Sequence, residues 1–200
     1  MKLHFQEQVI EFDNDTSVEE IIEKINDLLG DQYYFDHLVV NHEKILESPE
    51  VVLSNRLPHI ETIEVMAVPA KEFINDLLLS AEEYTARALP HIAALADRFY
   101  NHPDPSCWQE LNQLFEGIQW LLLSAETIDQ SVVRPANWEK VLASLSDLKG
   151  ELGNLEEALE NIDTVLIADM LQYEIEPVFE TMAKEVKMMI DREGMRHDLN

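Results

Sequence analysis

The spacing of hydrophobic residues changes from every second residue to every third or fourth near residue 70. Before this point, apolar positions such as Leu3 and Phe5 alternate with polar ones, as in strands with one buried face. Beyond it, apolar positions repeat at helical spacing. The pattern therefore predicts an α+β chain, with a strand-rich domain at residues 1–69 followed by an all-α antiparallel helical bundle at residues 70–200.

The first domain is predicted to contain five strands and one main helix. The predicted strands span residues 1–5, 8–12, 36–40, 44–46 and 62–68. Ser17 and Glu20 form the capping box that starts the helix, and Gly30 is placed to end it. An irregular connection is predicted through Pro49 and Pro58. The element order is therefore strand, strand, helix, strand, short strand, strand.

This element order resembles that of the ubiquitin-like β-grasp family. The resemblance is carried by residues 17–25 for the helix, residues 37–45 for the third strand and its turn, and residues 61–66 for the last strand. Ubiquitin-type modifiers end in a free Gly-Gly tail, whereas here Val68 and Pro69 lead directly into the helical part. We therefore expect a recognition module that is not conjugated to other proteins.

The resemblance also implies where a partner protein would bind. Members of the family commonly bind partners through an apolar patch on the exposed face of the sheet. By alignment this patch lies at Val39 and Met66, and His37 and Glu64 flank it. The alternative is that Val39 and Met66 are ordinary strand residues or lie under the helical domain.

Prolines mark the boundaries of the predicted helices. Pro90 interrupts the first long helix and predicts a kink or a break, because its ring removes a backbone donor and pushes against the preceding turn. Asp104 and Pro105 predict the start of the second helix, with an N-cap followed by proline at the first helical position. Arg134 and Pro135 predict the start of the third helix.

Apolar residues repeat with alternating spacings of three and four over residues 138–166, which is a heptad pattern. One interpretation places a break at Gly150 and Gly153, with a new helix starting just beyond them. The other has Asp163 capping a last helix, which gives about four long helices of similar length, as an antiparallel bundle prefers.

Two aspartates interrupt the apolar stretch near the end of this pattern. Asp169 falls at a heptad core position, and Asp163 lies six residues before it. A buried carboxylate needs a partner, because an unpaired one is costly, and Arg87 and Arg98 are the candidates. We therefore predict that both aspartates are buried structural groups that fix helix register, with a catalytic role as the less favoured alternative.

The charge of the chain narrows the classes of partner. Forty Asp and Glu residues oppose fourteen Lys and Arg, for a formal net charge of −26. Such a field repels phosphate backbones and anionic membranes, so neither nucleic acid nor a membrane is expected as a partner. It favours another protein that is basic or amphipathic. The alternative is a solvated helical surface rich in carboxylates.

Motifs for catalysis or cofactor binding are missing from the sequence. It contains no Glu-x-x-His pair, no His-Glu-x-x-His motif and no glycine-rich phosphate loop. We therefore expect no cofactor, no metal site and no catalytic residue. Cys107 is the single cysteine, the first residues do not form a signal peptide, and no apolar run approaches the ~20 residues that span a bilayer. These features favour a cytoplasmic protein.

The leading hypothesis is a non-catalytic protein–protein interaction adaptor, regulator or chaperone-like protein of the bacterial cytoplasm. A bacterial source is an expectation from the general character of the sequence. One alternative is a structural protein that self-associates, for example as a homodimer, through the heptad face of residues 138–166. The other is an acidic helical bundle that binds a metal or a small ligand.

Overall fold

The chain folds as an α+β protein in which a five-stranded mixed sheet precedes a helical region, as the sequence predicts. The structure, a computed structural model, describes residues 1–13 and 15–193. The chain divides into two units, the first spanning Met1–Phe73 and the second beginning at Ile74.

The first unit is one sheet covered on one face by helix. Its elements are β1 (Lys2–Phe5), β2 (Gln8–Glu11), α1 (Val18–Leu29), β3 (Tyr33–Val40), β4 (Glu43–Ile45), α2 (Pro49–Arg56), a 3₁₀ turn (Leu57–His59) and β5 (Thr62–Pro69). The strand order is β2-β1-β5-β3-β4, with β1 parallel to β5 and every other neighbouring pair antiparallel. The core of this unit includes Leu3, Ile21, Leu38 and Ile63.

The capping box of α1 is confirmed. The Glu20 amide donates to the Ser17 hydroxyl at 3.2 Å, and the Ser17 amide donates to the Glu20 carboxylate at 2.9 Å. Two otherwise free amides at the start of the helix are thereby satisfied. The buried stripe of α1, which includes Ile21 and Ile25, then faces the sheet.

Two predictions for this unit are wrong in detail. Strand β3 starts at Tyr33, three residues earlier than predicted, because a β-bulge between Phe35 and His37 breaks the alternation that marks a strand in the sequence. The connection predicted as irregular contains α2. Pro49 lies in the first turn of α2, where its missing amide costs nothing, and Leu53 is buried in the core of the unit.

The described residues that follow β5, through residue 193, are mainly helical, and the prediction of about four long helices is confirmed. The elements are α3 (Ala70–Tyr100), α4 (Pro105–Gln130), α5 (Trp138–Glu160), α6 (Thr164–Met170), a π-helical segment (Leu171–Ile175) and α7 (Glu176–Glu193). The fourth long helix is formed by α6, the π-helical segment and α7 in direct succession.

Helix α3 passes through Pro90, so the break considered there does not occur. Proline costs a helix one hydrogen bond and a steric conflict with the preceding turn. The apolar face of α3 continues on both sides, with Ala88, Ile92 and Leu95 all buried. Tertiary packing along this face therefore holds the helix together across the proline.

The start of α4 is as predicted. The Asp104 carboxylate accepts hydrogen bonds from the Ser106 and Cys107 amides at 2.8 and 3.2 Å. The Ser106 hydroxyl also donates a hydrogen bond to this carboxylate. This bond first, and the two amide bonds after it, lower the pKa of Asp104 to about 2. The Cys107 side chain is buried beneath this first turn. Arg98, near the end of α3, pairs with Glu110 at 2.7 Å.

Helix α5 continues through Gly150 and Gly153, and the break follows at residues 161–163. Asp163 caps α6 by accepting a hydrogen bond from the Leu166 amide at 3.0 Å. Of the two arrangements that the sequence leaves open, the structure has the second. A Cβ atom at Gly150 would meet nothing within 4 Å, which is consistent with an exposed position on an uninterrupted helix.

The turn between α5 and α6 contains a residue in an unfavourable conformation. The Asp163 amide donates to the Ala158 carbonyl at 2.9 Å, and the Ile162 amide donates to the Leu159 carbonyl at 3.1 Å. This pair of bonds is the Schellman motif, whose central residue is usually glycine because it is left-handed. Ile162 has a φ of 53° and is 68% exposed.

The π-helical segment ends at Ile175, two residues before Pro177. Proline at this position has no amide to donate to the preceding turn, and its ring crowds the carbonyl of that turn. A π-helical turn widens the helix locally and accommodates both effects. The sequence does not predict the form of this distortion.

Helices α3, α4 and α7 contribute aromatic rings to a common cluster. The Tyr84 ring lies 6.0 Å from the centroids of both Trp120 and Phe179. Its hydroxyl end lies against the backbone of Gly117, where a Cβ atom would overlap it. Burial raises the pKa of Tyr84. A side chain at position 117 would therefore force the Tyr84 ring to move.

Candidate functional site

The outer face of the sheet, opposite α1, brings together the four residues predicted to bind a partner. Along β3 and β5, alternate residues such as Leu38 and Val65 enter the core. The intervening residues therefore point away from it. The register pairs Val39 with Glu64 and His37 with Met66, so the four side chains form a square on adjacent antiparallel strands. We call these four residues the outer-face patch.

The members of the outer-face patch differ in accessibility. Met66 is 42% exposed, which is high for a large apolar side chain within a strand. The Glu64 side chain is 43% exposed and Val39 is half-buried. The His37 side chain is only 16% exposed, and its Nδ1 atom lies 3.1 Å from the Asp36 carboxylate. Met66 and Glu64 are therefore the accessible parts of the patch.

A row of residues extends the patch across the whole sheet. His4 pairs with Glu64 on one side and with Val9 on the other, while Val39 pairs with Lys44. Val9 is exposed. His4, Val9 and Lys44 are not among the site residues predicted from the sequence. The alternation within each strand could have placed them on the outer face, but their position beside Glu64 and Val39 depends on strand order.

An aromatic contact lies at the other end of this face. Tyr34 pairs with Val68 in the sheet, and its ring stacks on that of Phe73 with centroids 4.2 Å apart and an interplanar angle of 24°. Val68 lies two residues beyond Met66 on β5, and Phe73 lies in the first turn of α3. The outer face thus carries a continuous series of apolar side chains from Val39 through Met66 to Tyr34.

The chemistry that this face offers is recognition. Its groups are thioether, aliphatic, imidazole, carboxylate and ammonium side chains on a rigid sheet, which together bury apolar surface and pair charges. His42 Nδ1 lies 4.0 Å from Glu64 Oε1, a loose contact on an exposed surface. Among the described residues, no group of three or more His, Cys, Asp or Glu side chains is arranged to hold a metal ion.

The two aspartates predicted to be buried are not. Asp163 is exposed and acts as the N-cap of α6, so it needs no cationic partner. Asp169 is half-buried and accepts a hydrogen bond from the Tyr100 hydroxyl, which raises the pKa of Tyr100 to about 12. The heptad count placed Asp169 in the core, but the break at residues 161–163 resets the phase of the helix.

The arginines proposed as partners bind elsewhere. Arg98 pairs with Glu110 and Asp104, and Arg87 lies 3.7 Å from Glu83 on the same helix. Within the described part of the second unit, the carboxylate of Glu185 is buried, at 7% exposure, and lies 3.4 Å from Lys140. Its spacing of three from Met182 and four from Met189 places it in an apolar stripe, which is the sequence signal that could have identified it.

The sequence model of a family described as "Domain of unknown function (DUF8042)" matches residues 76–185. No curated protein and no solved structure matches the chain. Within the described ranges, no helix combines the length and the apolar character needed to cross a membrane.

Proposed function

Since the chain belongs to the family described as Domain of unknown function (DUF8042), whose description names no activity, we propose a function from the surface of the molecule. We propose that the protein is a non-catalytic adaptor of the bacterial cytoplasm that binds another protein through the outer-face patch. The observation that carries this proposal is the exposure of Met66 beside Val39 and Glu64 in the middle of a rigid sheet.

The topology of the first unit supports this proposal. We infer that the unit is a ubiquitin-like β-grasp module, because its central strands β1 and β5 are parallel and its strand order is β2-β1-β5-β3-β4. Helix α1 lies between the first hairpin and β3, as the resemblance in the sequence requires. Modules of this kind present the sheet face opposite the helix to their partners, and this is the face that carries the outer-face patch.

The side chains indicate the chemistry of the partner. Met66 is flexible and polarisable, so it adapts to an apolar side chain inserted beside Val39. Glu64 lies next to that position and offers a carboxylate to a cation. The net charge of −26 attracts a basic partner and speeds its encounter. The expected partner is therefore a protein that presents an apolar side chain next to Lys or Arg.

A crosslinking experiment followed by binding measurements tests the proposal. A photoreactive amino acid replaces Met66 in one form of the full chain and Val51 in the other, and each form is irradiated in the source cell. Val51 is a matched control because it is apolar, exposed and in the same unit, on α2. The protein crosslinked from position 66 is then purified and its affinity measured by calorimetry.

We expect Met66→Ser to weaken binding of the purified partner by about tenfold and Val51→Ser to leave it within about twofold. Circular dichroism of both variants checks that the fold is kept. The proposal fails if position 66 crosslinks no protein that position 51 does not. It also fails if Met66→Ser binds the crosslinked protein as tightly as the unchanged chain does.

A further inference from the structure

An apolar stripe lies exposed on the second unit, from the α5–α6 turn into the π-helical segment. Ile162 and Tyr173 are 68% and 62% exposed, and Val165 and Leu166 between them are also exposed. Four large apolar side chains thus lie in solvent within twelve residues. Side chains with this exposure add little to the core, and a cluster of them marks a surface used for binding.

The stripe borders an open groove. This groove encloses about 620 Å³ between the C-terminal half of α5 and the segment formed by α6 and the π-helical turn. Leu166, Met170 and Tyr173 supply its apolar surface. Five carboxylates also line it: Glu151, Glu157, Asp163, Asp169 and Glu174. We call this region the acidic groove.

The charge of the acidic groove is not balanced by the described part of the chain. Within residues 1–13 and 15–193, none of its five carboxylates lies in an ion pair with Lys, Arg or His. The sequence from Asp147 to Glu180 contains ten acidic residues and one basic residue, Lys149. Neighbouring like charges with so little compensation produce a strongly negative potential in and around the groove.

The backbone at the edge of the groove is strained at Ile162. An isoleucine in the left-handed region costs stability, and the exposed Ile162 side chain recovers little of that cost by burial. Leu166, Asp169 and Tyr173 follow at spacings of three and four, so an amphipathic segment lying along the groove would meet apolar and anionic groups in turn.

We propose that the acidic groove is a docking site for a basic, amphipathic segment of another protein. The apolar side of such a segment covers Leu166 and Tyr173, and its Lys or Arg side chains pair with the carboxylates of α5 and α6. Charge complementarity selects this occupant, because a second copy of the chain carries the same charge of −26. This site is separate from the outer-face patch, and the two proposals stand or fall independently.

Fluorescence anisotropy with defined peptides tests this inference on the full chain. The probe is a labelled helical peptide of about fifteen residues, with Leu and Trp on one face and Lys and Arg on the other. Two comparison peptides have the same composition in scrambled order, or Lys alone without apolar residues. Each titration is done at low and at physiological salt, because charge pairing weakens as salt is added.

Variants of the groove are compared with matched variants outside it. Asp169→Asn with Glu174→Gln removes two groove charges, and Glu116→Gln with Glu126→Gln removes two exposed charges on α4. We expect the groove pair to weaken binding of the amphipathic peptide about fivefold more than the α4 pair does.

A second pair of variants tests the apolar contribution. Leu166→Ser with Tyr173→Ser should weaken binding about tenfold, while Leu123→Ser, at an exposed leucine on α4, should have little effect. Circular dichroism verifies that each variant keeps its helical content. The inference is overturned if the amphipathic peptide does not bind at low salt, or if groove and α4 variants weaken it equally. Equal affinity for the scrambled or Lys-only peptide would overturn it as well.

Discussion

The conformation of Ile162 predicts that the relative stability of glycine and alanine reverses between the turn that ends α5 and the interior of the same helix. Ile162 occupies the left-handed position of the Schellman motif, whereas Gly150 lies in the exposed interior of α5. The comparison uses three variants of the full chain: Ile162→Gly, Ile162→Ala and Gly150→Ala. The first two remove the same exposed side chain, so their difference isolates the backbone.

The magnitude follows from the geometry at each site. A left-handed conformation costs an L-residue about 1–2 kcal/mol, and the greater freedom of glycine in the unfolded chain returns roughly 0.5–1 kcal/mol of this. Ile162→Gly should therefore be more stable than Ile162→Ala by about 0.5–1 kcal/mol. At position 150 the order reverses. A Cβ atom there meets nothing within 4 Å, so Gly150→Ala should stabilise by about 1 kcal/mol through helix propensity alone.

Tryptophan fluorescence during guanidinium unfolding measures these differences. All three tryptophans, Trp108, Trp120 and Trp138, lie in the second unit, so the signal reports the unfolding of that unit. The slope of each transition must stay constant for midpoints to be compared. If Ile162→Gly proves equal to or less stable than Ile162→Ala, while Gly150→Ala is stabilised as expected, then the backbone argument for the α5–α6 turn is refuted.

Substitutions at two further positions test contacts at the start of α4 and in its middle. Gly117→Ala should destabilise the second unit by about 1–2 kcal/mol in the same assay, since its Cβ would overlap the Tyr84 ring, and should stabilise it instead on a Tyr84→Leu background. Asp104→Ala should lower the thermal midpoint near pH 6, and this deficit should shrink as the pH falls toward 2. The pKa of Asp104 in the folded chain, about 2, lies below the ordinary value near 4, so its contribution is present above that ordinary value and is lost on acidification. Asp104→Asn keeps an acceptor without the charge, so its midpoint should show no such pH-dependent difference from that of Asp104→Ala.

Local signals in the sequence were sufficient where a side chain bonds to backbone a few residues away. The capping box at Ser17 and the N-cap at Asp104 were predicted correctly because each involves a single turn of helix. Whether the helix continues through Gly150 and Gly153 could not be decided from the sequence. The cost of glycine in a helix is about 1 kcal/mol per residue, and the packing of neighbours such as Leu148 and Leu155 decides whether the helix continues.

Longer-range features were beyond such signals. The bulge in β3 interrupts the alternation before His37, so the pattern places the start of the strand three residues too late. The environment of Asp169 depends on the phase of α6, which the turn at residues 161–163 changes. For the candidate site, the resemblance to the ubiquitin-like family placed Val39 and Met66 on the outer face of the sheet, and the buried alternate residues of β3 and β5 put them on that face. Identifying the neighbours of these residues on β1, β2 and β4 required the order of strands in the sheet.

The burial of Cys107 has a practical consequence for measuring local motion. Its side chain is 1% exposed beneath the first turn of α4, and it is the single thiol in the chain. A disulfide reagent in solution can react with it only in molecules where this turn has opened. When reclosing is faster than labelling, the ratio of the native to the unfolded reaction rate equals the population of the open state. The free energy of opening at the α3–α4 junction can therefore be determined on the unmodified chain, from the rate at which a disulfide reagent labels Cys107.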